Sequence, residues 1–261
     1  MEMNQPVSAN RCALIGMVHL LPLPGSPGWG GSMAEVLDAA LRDAQRLIDG
    51  GCDAVIVENM GDVPYVPRKV APETLAAIAM ATSQIVALGI PTGLQILAAA
   101  NRQALGVAVA AGASFIRVEG FAYAHVADEG WIDACAGDLL RARRSLDARV
   151  SIWADVQKKH ASHAITADLN MADLAKGAAF CGADMLIVTG SSTGEPVSIE
   201  DLEAASTAGL PIAIGSGVTD KNAARLSRFA DALIVGSWIK EEGNWRNPVS
   251  SDRVERLRAL V

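Results

Sequence analysis

Two glycine-rich segments near the carboxyl end of the sequence carry its clearest chemical signal. Residues 214–219 read Ile-Gly-Ser-Gly-Val-Thr, and residues 234–240 read Ile-Val-Gly-Ser-Trp-Ile-Lys. Glycine lets a backbone approach an anion because no Cβ intervenes, and a helix predicted over residues 221–230 would add free N–H groups. One such motif more often makes only a tight turn, but a pair is typical of the last strands of phosphate-binding (β/α)8 barrels. We therefore predict a phosphate site at Gly215, Ser216, Gly217, Val218, Gly236 and Ser237.

Polar residues that suit acid–base chemistry follow most of the other apolar runs. Residues 155–160, Asp-Val-Gln-Lys-Lys-His, bring an acid, two lysines and an imidazole into one short segment. We predict Asp155 or Glu119 as the general base. Lys159 or His160 would then stabilise negative charge that develops on a substrate oxygen. The alternative for the two lysines is an ordinary solvated pair.

Three carboxylates, Glu58, Glu119 and Asp155, each stand at the end of an apolar run. If they converge, they raise one another's pKa or hold a cation; no cofactor is firmly indicated, and Mg²⁺ is one candidate. Glu58 is also a catalytic candidate, although a lone glutamate at a strand end can instead cap a helix. Imidazole, amide and hydroxyl side chains at strand ends or in the following loops are predicted to bind substrate: His19, Asn59, Gln95, Thr189 and Thr193.

The basic residues receive different interpretations according to their place in the sequence. Arg117 lies inside an apolar run, where an ion pair in the barrel interior explains it better than catalysis does. Barrel aldolases often carry an imine-forming lysine on the sixth strand, and residues 186–189 contain no lysine. We therefore favour a charge or acid–base role over imine formation for Lys158 and Lys159.

Alternating apolar runs and amphipathic segments predict the elements that position these residues. The predicted strands are residues 13–18, 54–57, 91–96, 115–118, 150–154, 185–188, 212–214 and 232–235. The predicted helices are residues 33–49, 73–88, 102–111, 131–146, 166–180, 199–208, 221–230 and 254–261. Strands that are apolar throughout are buried on both faces, as in a parallel sheet. We predict one (β/α)8 TIM-barrel domain over residues 1–261, with a polar N-terminal segment at 1–12; a doubly wound open sheet is the alternative.

Composition and charge argue against several classes of protein. The chain of 261 residues is 51% hydrophobic, with a net charge of −7 and an isoelectric point near 5.1. This charge argues against nucleic acid or an anionic membrane as a partner, and no apolar run is long enough to span a bilayer. The four cysteines lack metal-ligand spacing, which indicates reduced thiols and a cytoplasmic protein. Trp29, Trp238 and Trp245 are predicted at the barrel mouth or a subunit interface, and we expect a homo-oligomer.

Short motifs occur in a fixed order along the chain. They are GMVHL at residues 16–20, VEN at 57–59, GDVP at 61–64, FIR at 115–117, ADV at 154–156, VTG at 188–190 and GSGVT at 215–219. Together they resemble the BtpA/SgcQ family, and the resemblance extends over nearly the whole chain. It implies a (β/α)8 barrel of the ribulose-phosphate-binding type.

The sequence departs from the commoner form of that family in two places. Residues 97–100 are Leu-Ala-Ala-Ala where many members carry Leu-Arg-Asn-Asp, and Glu119 stands where many carry asparagine. We therefore expect a divergent branch with a changed substrate or chemistry. The predicted function is an enzyme acting on a small phosphorylated metabolite, a sugar phosphate or nucleoside-derived phosphate, by isomerase or lyase/hydrolase chemistry. The alternative that the resemblance implies is a non-catalytic assembly factor, because the founding member is tied to photosystem I biogenesis.

Overall fold

The strands of the chain form one closed barrel and one small sheet. The computed structural model describes residues 11–190 and 197–261. Within these ranges the strands are β1 (Ala13–His19), β2 (Ala54–Glu58), β3 (Thr92–Gln95), β4 (Phe115–Val118), β5 (His125–Ala127), β6 (Gly130–Ile132), β7 (Ser151–Asp155), β8 (Ala161–Ser162), β9 (Met185–Val188), β10 (Ile212–Ile214) and β11 (Ala232–Val235).

Eight parallel strands close the barrel in the order β1-β11-β10-β9-β7-β4-β3-β2. The closing pair joins β1 to β11, with Leu14 opposite Leu233 and Gly16 opposite Val235. The predicted (β/α)8 barrel is therefore confirmed. Because the strands are parallel, all their carboxyl ends open at one mouth, and the polar residues at the strand ends meet there.

The helices surround the barrel and begin with recognisable caps. Their bounds are α1 (Met33–Asp49), α2 (Pro72–Val86), α3 (Asn101–Ala111), α4 (Ala136–Ser145), α5 (Met171–Phe180), α6 (Ile199–Ser206), α7 (Ala223–Leu226) and α8 (Ser251–Arg258). Ser32 caps α1 by accepting the N–H of Glu35, and Asn170 with Asp173 forms a capping box at α5. None of the described helices has both the length and the apolar character needed to cross a membrane.

Three predicted helices are much shorter in the structure than in the sequence-based prediction. α4 begins at Ala136, because the residues before it form β6. α5 begins at Met171, after a separate 3₁₀ turn over Ala164–Thr166. α7 covers only Ala223–Leu226 rather than residues 221–230. These three predicted helix starts or lengths were wrong.

A small antiparallel sheet, which the sequence did not predict, consists of β5, β6 and β8. Val126 of β5 lies opposite Trp131 of β6, and Ala127 of β5 lies opposite Ala161 of β8. Gly130 has a φ of 111°, a conformation that suits glycine and permits the sharp turn between β5 and β6. Since β5 and β6 follow β4, and β8 follows β7, this sheet joins two separate connections of the barrel.

Apolar side chains fill the barrel interior. Phe115 stacks on Trp153 with ring centroids 4.0 Å apart. Gly93 leaves room for this stack, because a Cβ there would lie 2.3 Å from the Phe115 ring. Met17 and Ile234 belong to the same buried cluster and also line the cavity at the mouth. The packed interior therefore closes the bottom of the cavity, and the polar residues lie above it at the strand ends.

Candidate active site

A cavity of about 890 Å³ opens at the carboxyl ends of the barrel strands. Its volume lies within the range of small-molecule sites. Most residues predicted from the sequence line this cavity: His19, Glu58, Gln95, Glu119, Asp155, Lys159, His160, Gly215, Ser216, Gly217, Val218, Gly236 and Ser237. Asn59 and Thr189 lie outside the lining. Thr193 and residues 1–10 of the predicted N-terminal segment lie outside the described residues.

Arg117 and Asp155 form a buried ion pair between the neighbouring strands β4 and β7. The Nε and Nη2 atoms of Arg117 donate to Oδ2 and Oδ1 of Asp155 at 3.0 and 2.9 Å. Burial opposes the charge on Arg117, but nearby carboxylates, above all Asp155, hold its pKa above the ordinary value. The interior ion pair predicted for Arg117 is confirmed. Because both oxygens of Asp155 already accept hydrogen bonds, the geometry favours Glu119 over Asp155 as the general base.

Glu119 is the carboxylate best suited to proton transfer. It directly follows β4, and its Oε2 accepts the backbone N–H of Ala99 at 3.0 Å. Burial raises the pKa of Glu119 to about 7, although Lys158, whose Nζ lies 3.7 Å from Oε2, acts in the opposite direction. A group with a pKa near neutrality can both accept and donate a proton at physiological pH.

The three carboxylates that were candidates for holding a cation lie among basic side chains. Across residues 11–190 and 197–261, no three His, Cys, Asp or Glu side chains are grouped so that they could hold a metal ion. Arg117 binds Asp155, and Glu119 faces Lys158. The described residues therefore offer no ready site for the Mg²⁺ that the sequence left as one possibility at Glu58, Glu119 and Asp155, and basic side chains lie close to two of these carboxylates.

His19 and Glu58 form a second polar pair where β1 and β2 end. The Nε2 atom of His19 lies 3.4 Å from Oε2 of Glu58, and its Nδ1 lies 3.3 Å from the carbonyl oxygen of Trp245. Burial lowers the pKa of His19 to about 3 and raises the pKa of Glu58. Burial therefore disfavours the charged form of both side chains.

The glycine loop over residues 215–219 is held in shape by Asn222. Its Oδ1 accepts the N–H of Thr219 at 2.7 Å, and its Nδ2 donates to the carbonyl oxygen of Gly217 at 2.8 Å. Gly217 has a φ of 74°, which favours glycine. The Oγ atom of Ser216 is buried and has no hydrogen-bond partner among the described residues. A buried hydroxyl without a partner beside a cavity suits a polar ligand that would satisfy it.

The second glycine loop lies beside the first, because β10 and β11 are neighbours in the barrel. A Cβ at Gly236 would come within 3.3 Å of the His19 ring, and a Cβ at Gly215 would lie 3.2 Å from Nη2 of Arg117. Both loops therefore approach polar side chains closely. Since α7 is so short, loop amides rather than a helix N-terminus must carry any anion binding here.

A segment over residues 240–249, here called the strap, borders the cavity. Lys240 is buried at its start, and Nζ lies 2.6 Å from Oδ2 of Asp43 in α1. Farther along the strap, Trp245 and Arg246 line the cavity, with the Arg246 guanidinium 4.2 Å from the centre of the Trp245 ring. No local sequence pattern predicts this anchoring, although Trp245 was predicted at the barrel mouth or at a subunit interface.

Two of the predicted substrate-binding residues are engaged with neighbouring loops. Asn59 donates to a nearby aspartate and accepts the N–H of Leu97 at 2.8 Å. The hydroxyl of Thr189 donates to the carbonyl oxygen of Gln157 at 3.2 Å. Gln95 differs from both, because its Oε1 is buried in the cavity lining and has no partner in the described part of the chain.

A closed parallel barrel of eight strands, with polar side chains gathered at their carboxyl ends, defines a TIM-barrel protein. Within that class the chain belongs to the BtpA family, whose sequence profile matches residues 10–261. This match confirms the family resemblance that the motifs indicated.

Individual relatives agree with this assignment. An uncharacterised mitochondrial protein of Caenorhabditis elegans is 44% identical over 98% of this chain and 95% of its own length. The photosystem I biogenesis protein BtpA of a Synechocystis strain is 38% identical over 92% of this chain and 85% of its own length. The solved thiamine phosphate pyrophosphorylase of Pyrococcus furiosus is similar with a TM-score of 0.60, covering 99% of this chain and 97% of its own. At 12% identity, that likeness shows the fold alone.

Replacing Glu119 by glutamine should stabilise the protein above neutral pH and leave its stability almost unchanged in acid. The folded state holds the Glu119 proton up to about pH 7, whereas the unfolded chain releases it near the ordinary value of 4.5. Wild-type stability therefore falls as pH rises through this window, by on the order of 3 kcal/mol for such a shift. Urea unfolding at acidic and alkaline pH measures the difference, with the exposed Glu203→Gln as control. A Glu119→Gln protein no more stable than wild type at alkaline pH would contradict it.

Proposed function

We propose that the protein is an enzyme that acts on a small phosphorylated metabolite, either a sugar phosphate or a nucleoside-derived phosphate. The observation that carries this proposal is a single cavity with two chemically different walls. One wall has glycine loops with a buried hydroxyl that lacks a partner, and the other has a buried carboxylate with a pKa near 7. The first suits a fixed anion and the second suits proton transfer, which supports isomerase or lyase/hydrolase chemistry.

The phosphate would bind to the two neighbouring glycine loops. The residues assigned to it are Gly215, Ser216, Gly217, Val218, Gly236 and Ser237. Backbone amides bind anions without basic side chains, so such a site is compatible with a net charge of −7. Arg117, which lies close to Gly215, adds positive charge near the first loop. The hydroxyl of Ser216 would donate its missing hydrogen bond to a phosphate oxygen.

Glu119 would move the substrate proton in the reaction. Lys159 and His160 line the same cavity and would stabilise negative charge on a substrate oxygen. His19 and Glu58 would hydrogen-bond to the substrate beside the second glycine loop. These roles together describe acid–base chemistry on a substrate whose phosphate fixes its orientation.

A second candidate function is a non-catalytic assembly factor that keeps the barrel as a scaffold or ligand sensor. The name of the Synechocystis relative favours it. A scaffold, however, has no need of buried polar atoms without partners, and Gln95 Oε1 and Ser216 Oγ are two such atoms in the cavity lining. We therefore favour the enzyme.

Thermal unfolding against a panel of phosphorylated sugars and nucleotides tests the phosphate site. A ligand at about a hundred times its Kd should raise the midpoint by roughly 5–10 °C. Gly217→Asp should abolish this rise, because it places a carboxylate in the loop. Gly209→Asp is the matched control, since Gly209 has the same φ of 74° but lies in an exposed turn. If no compound raises the unfolding midpoint, the scaffold function is favoured. If the rise in the midpoint persists in Gly217→Asp, the phosphate binds elsewhere.

The cellular setting that we propose is a homo-oligomer in the cytoplasm. All four cysteines are free thiols, as expected for reduced side chains. Burial raises the pKa of Cys12 and Cys52 to about 12, which keeps both thiols protonated and unreactive. Light scattering on the purified chain measures the oligomeric state directly.

A further inference from the structure

Two consecutive lysines after β7 occupy opposite electrostatic environments. Lys158 is held by carboxylates: its Nζ lies 2.6 Å from Oε2 of Glu129 and 3.7 Å from Oε2 of Glu119. Burial opposes its charge, but these carboxylates outweigh burial and raise the pKa of Lys158. Lys158 is therefore a fixed cation that positions acidic side chains.

Lys159 lines the same cavity but makes no direct ion pair with any described carboxylate. Within the residues that the structure describes, its ammonium has no hydrogen-bond or ion-pair partner. Burial lowers the pKa of Lys159, and the Arg117 guanidinium lowers it further. Asp155, Glu58 and Glu119 act in the opposite direction but do not outweigh burial and Arg117, so the neutral amine, which is the nucleophile, is more accessible than in an ordinary lysine.

We propose that Lys159 is the nucleophile that forms an imine with a carbonyl group of the substrate. This inference rests on the proposed function, because the phosphate site would bring the carbonyl to the lysine. It gives Lys159 a covalent role in place of the charge-stabilising role proposed above, which then falls to His160. It also differs from the sequence-based expectation, which disfavoured imine formation because the sixth barrel strand lacks a lysine. The nucleophile instead lies just after β7, the fifth strand of the barrel in chain order.

The imine step balances with groups that line the cavity. The neutral Nζ of Lys159 attacks the carbonyl carbon, and proton transfer from nitrogen to oxygen gives the carbinolamine. Protonated Glu119 then delivers a proton to the hydroxyl, the C–O bond breaks, and water leaves. The product is a protonated imine and an ionised Glu119, with no oxidant or reductant. This cation withdraws electrons from the adjacent carbon, where the Glu119 carboxylate can remove a proton or a C–C bond can break.

Borohydride trapping on the full-length protein tests this inference. The protein is incubated with dihydroxyacetone phosphate, ribulose 5-phosphate or ribose 5-phosphate, reduced with sodium borohydride, and mapped by peptide mass spectrometry. We expect an adduct on Lys159 with at least one probe, lost in Lys159→Arg, which keeps the charge but cannot form the imine. Lys221→Arg is the control, since Lys221 is exposed, and it should retain the adduct.

Each outcome separates this inference from the proposed phosphate site. Probes that raise the unfolding midpoint but leave no adduct on Lys159 overturn the imine and leave the phosphate site intact. An adduct on Lys159 without any thermal shift supports the imine and counts against the phosphate site. If adducts are spread equally over surface lysines, Lys159 has no special reactivity and the imine proposal is overturned. If Lys159→Arg does not fold, the peptide map of the wild-type adduct decides by itself which lysine reacted.

Discussion

Replacing Arg117 by methionine should lower the free energy of unfolding by about 3–5 kcal/mol, because it leaves a buried carboxylate without its partner. Asp155 receives both of its side-chain hydrogen bonds from Arg117, and both residues are buried. Methionine has a similar length but supplies neither charge nor donor. Urea unfolding at neutral pH measures the loss.

Two further variants show whether the loss comes from an unpaired charge. In Arg117→Met/Asp155→Leu the charge is gone as well, so much of the lost stability should return. Arg143→Met removes a more exposed ion pair with Asp184 and should cost less than about 1 kcal/mol. An Arg117→Met protein as stable as Arg143→Met would show that the interior pair contributes little.

Replacing Glu119 by glutamine should reduce kcat by roughly 10²–10⁴-fold with the phosphorylated compound that proves to be the substrate. Glutamine keeps the shape of the side chain and an oxygen to accept the N–H of Ala99, but it cannot carry a proton. KM should change little, because the ground-state contacts remain. Steady-state kinetics across the neutral pH range measures both constants.

The same substitution is expected to stabilise the fold at alkaline pH, so a loss of activity there cannot be attributed to unfolding. Glu203→Gln, on an exposed face of α6, should keep wild-type kcat. Wild-type kcat/KM, which reports the free enzyme, should also show a titration near pH 7 that Glu119→Gln lacks. A Glu119→Gln enzyme with kcat close to wild type would remove Glu119 from the proton-transfer step.

The barrel could be predicted from the sequence because its signals are local. Most barrel strands are largely apolar on both faces, and their polar residues stand at or just after the strand ends, as Glu119 does after Val118. The glycine loops could be found for the same reason. A predicted barrel, together with the predicted strand ends, was therefore enough to identify most of the candidate residues that line the cavity.

Partners distant in sequence could not be predicted in this way. Asp155 looked available as a base, but Arg117, from 38 residues away, binds both of its oxygens. Lys240 pairs with Asp43 across 197 residues, so no local pattern revealed the strap. β8 contains only two residues, Ala161–Ser162, which is too short for any alternation to appear.

The small sheet of β5, β6 and β8 has a consequence for how this family can diverge. Because it joins the connection after β4 to the connection after β7, neither can change length or direction without the other. Glu129, in the turn between β5 and β6, pairs with Lys158 just before β8, so their charges are coupled as well. To transfer a relative's substrate specificity to this barrel, both connections would therefore have to be exchanged together.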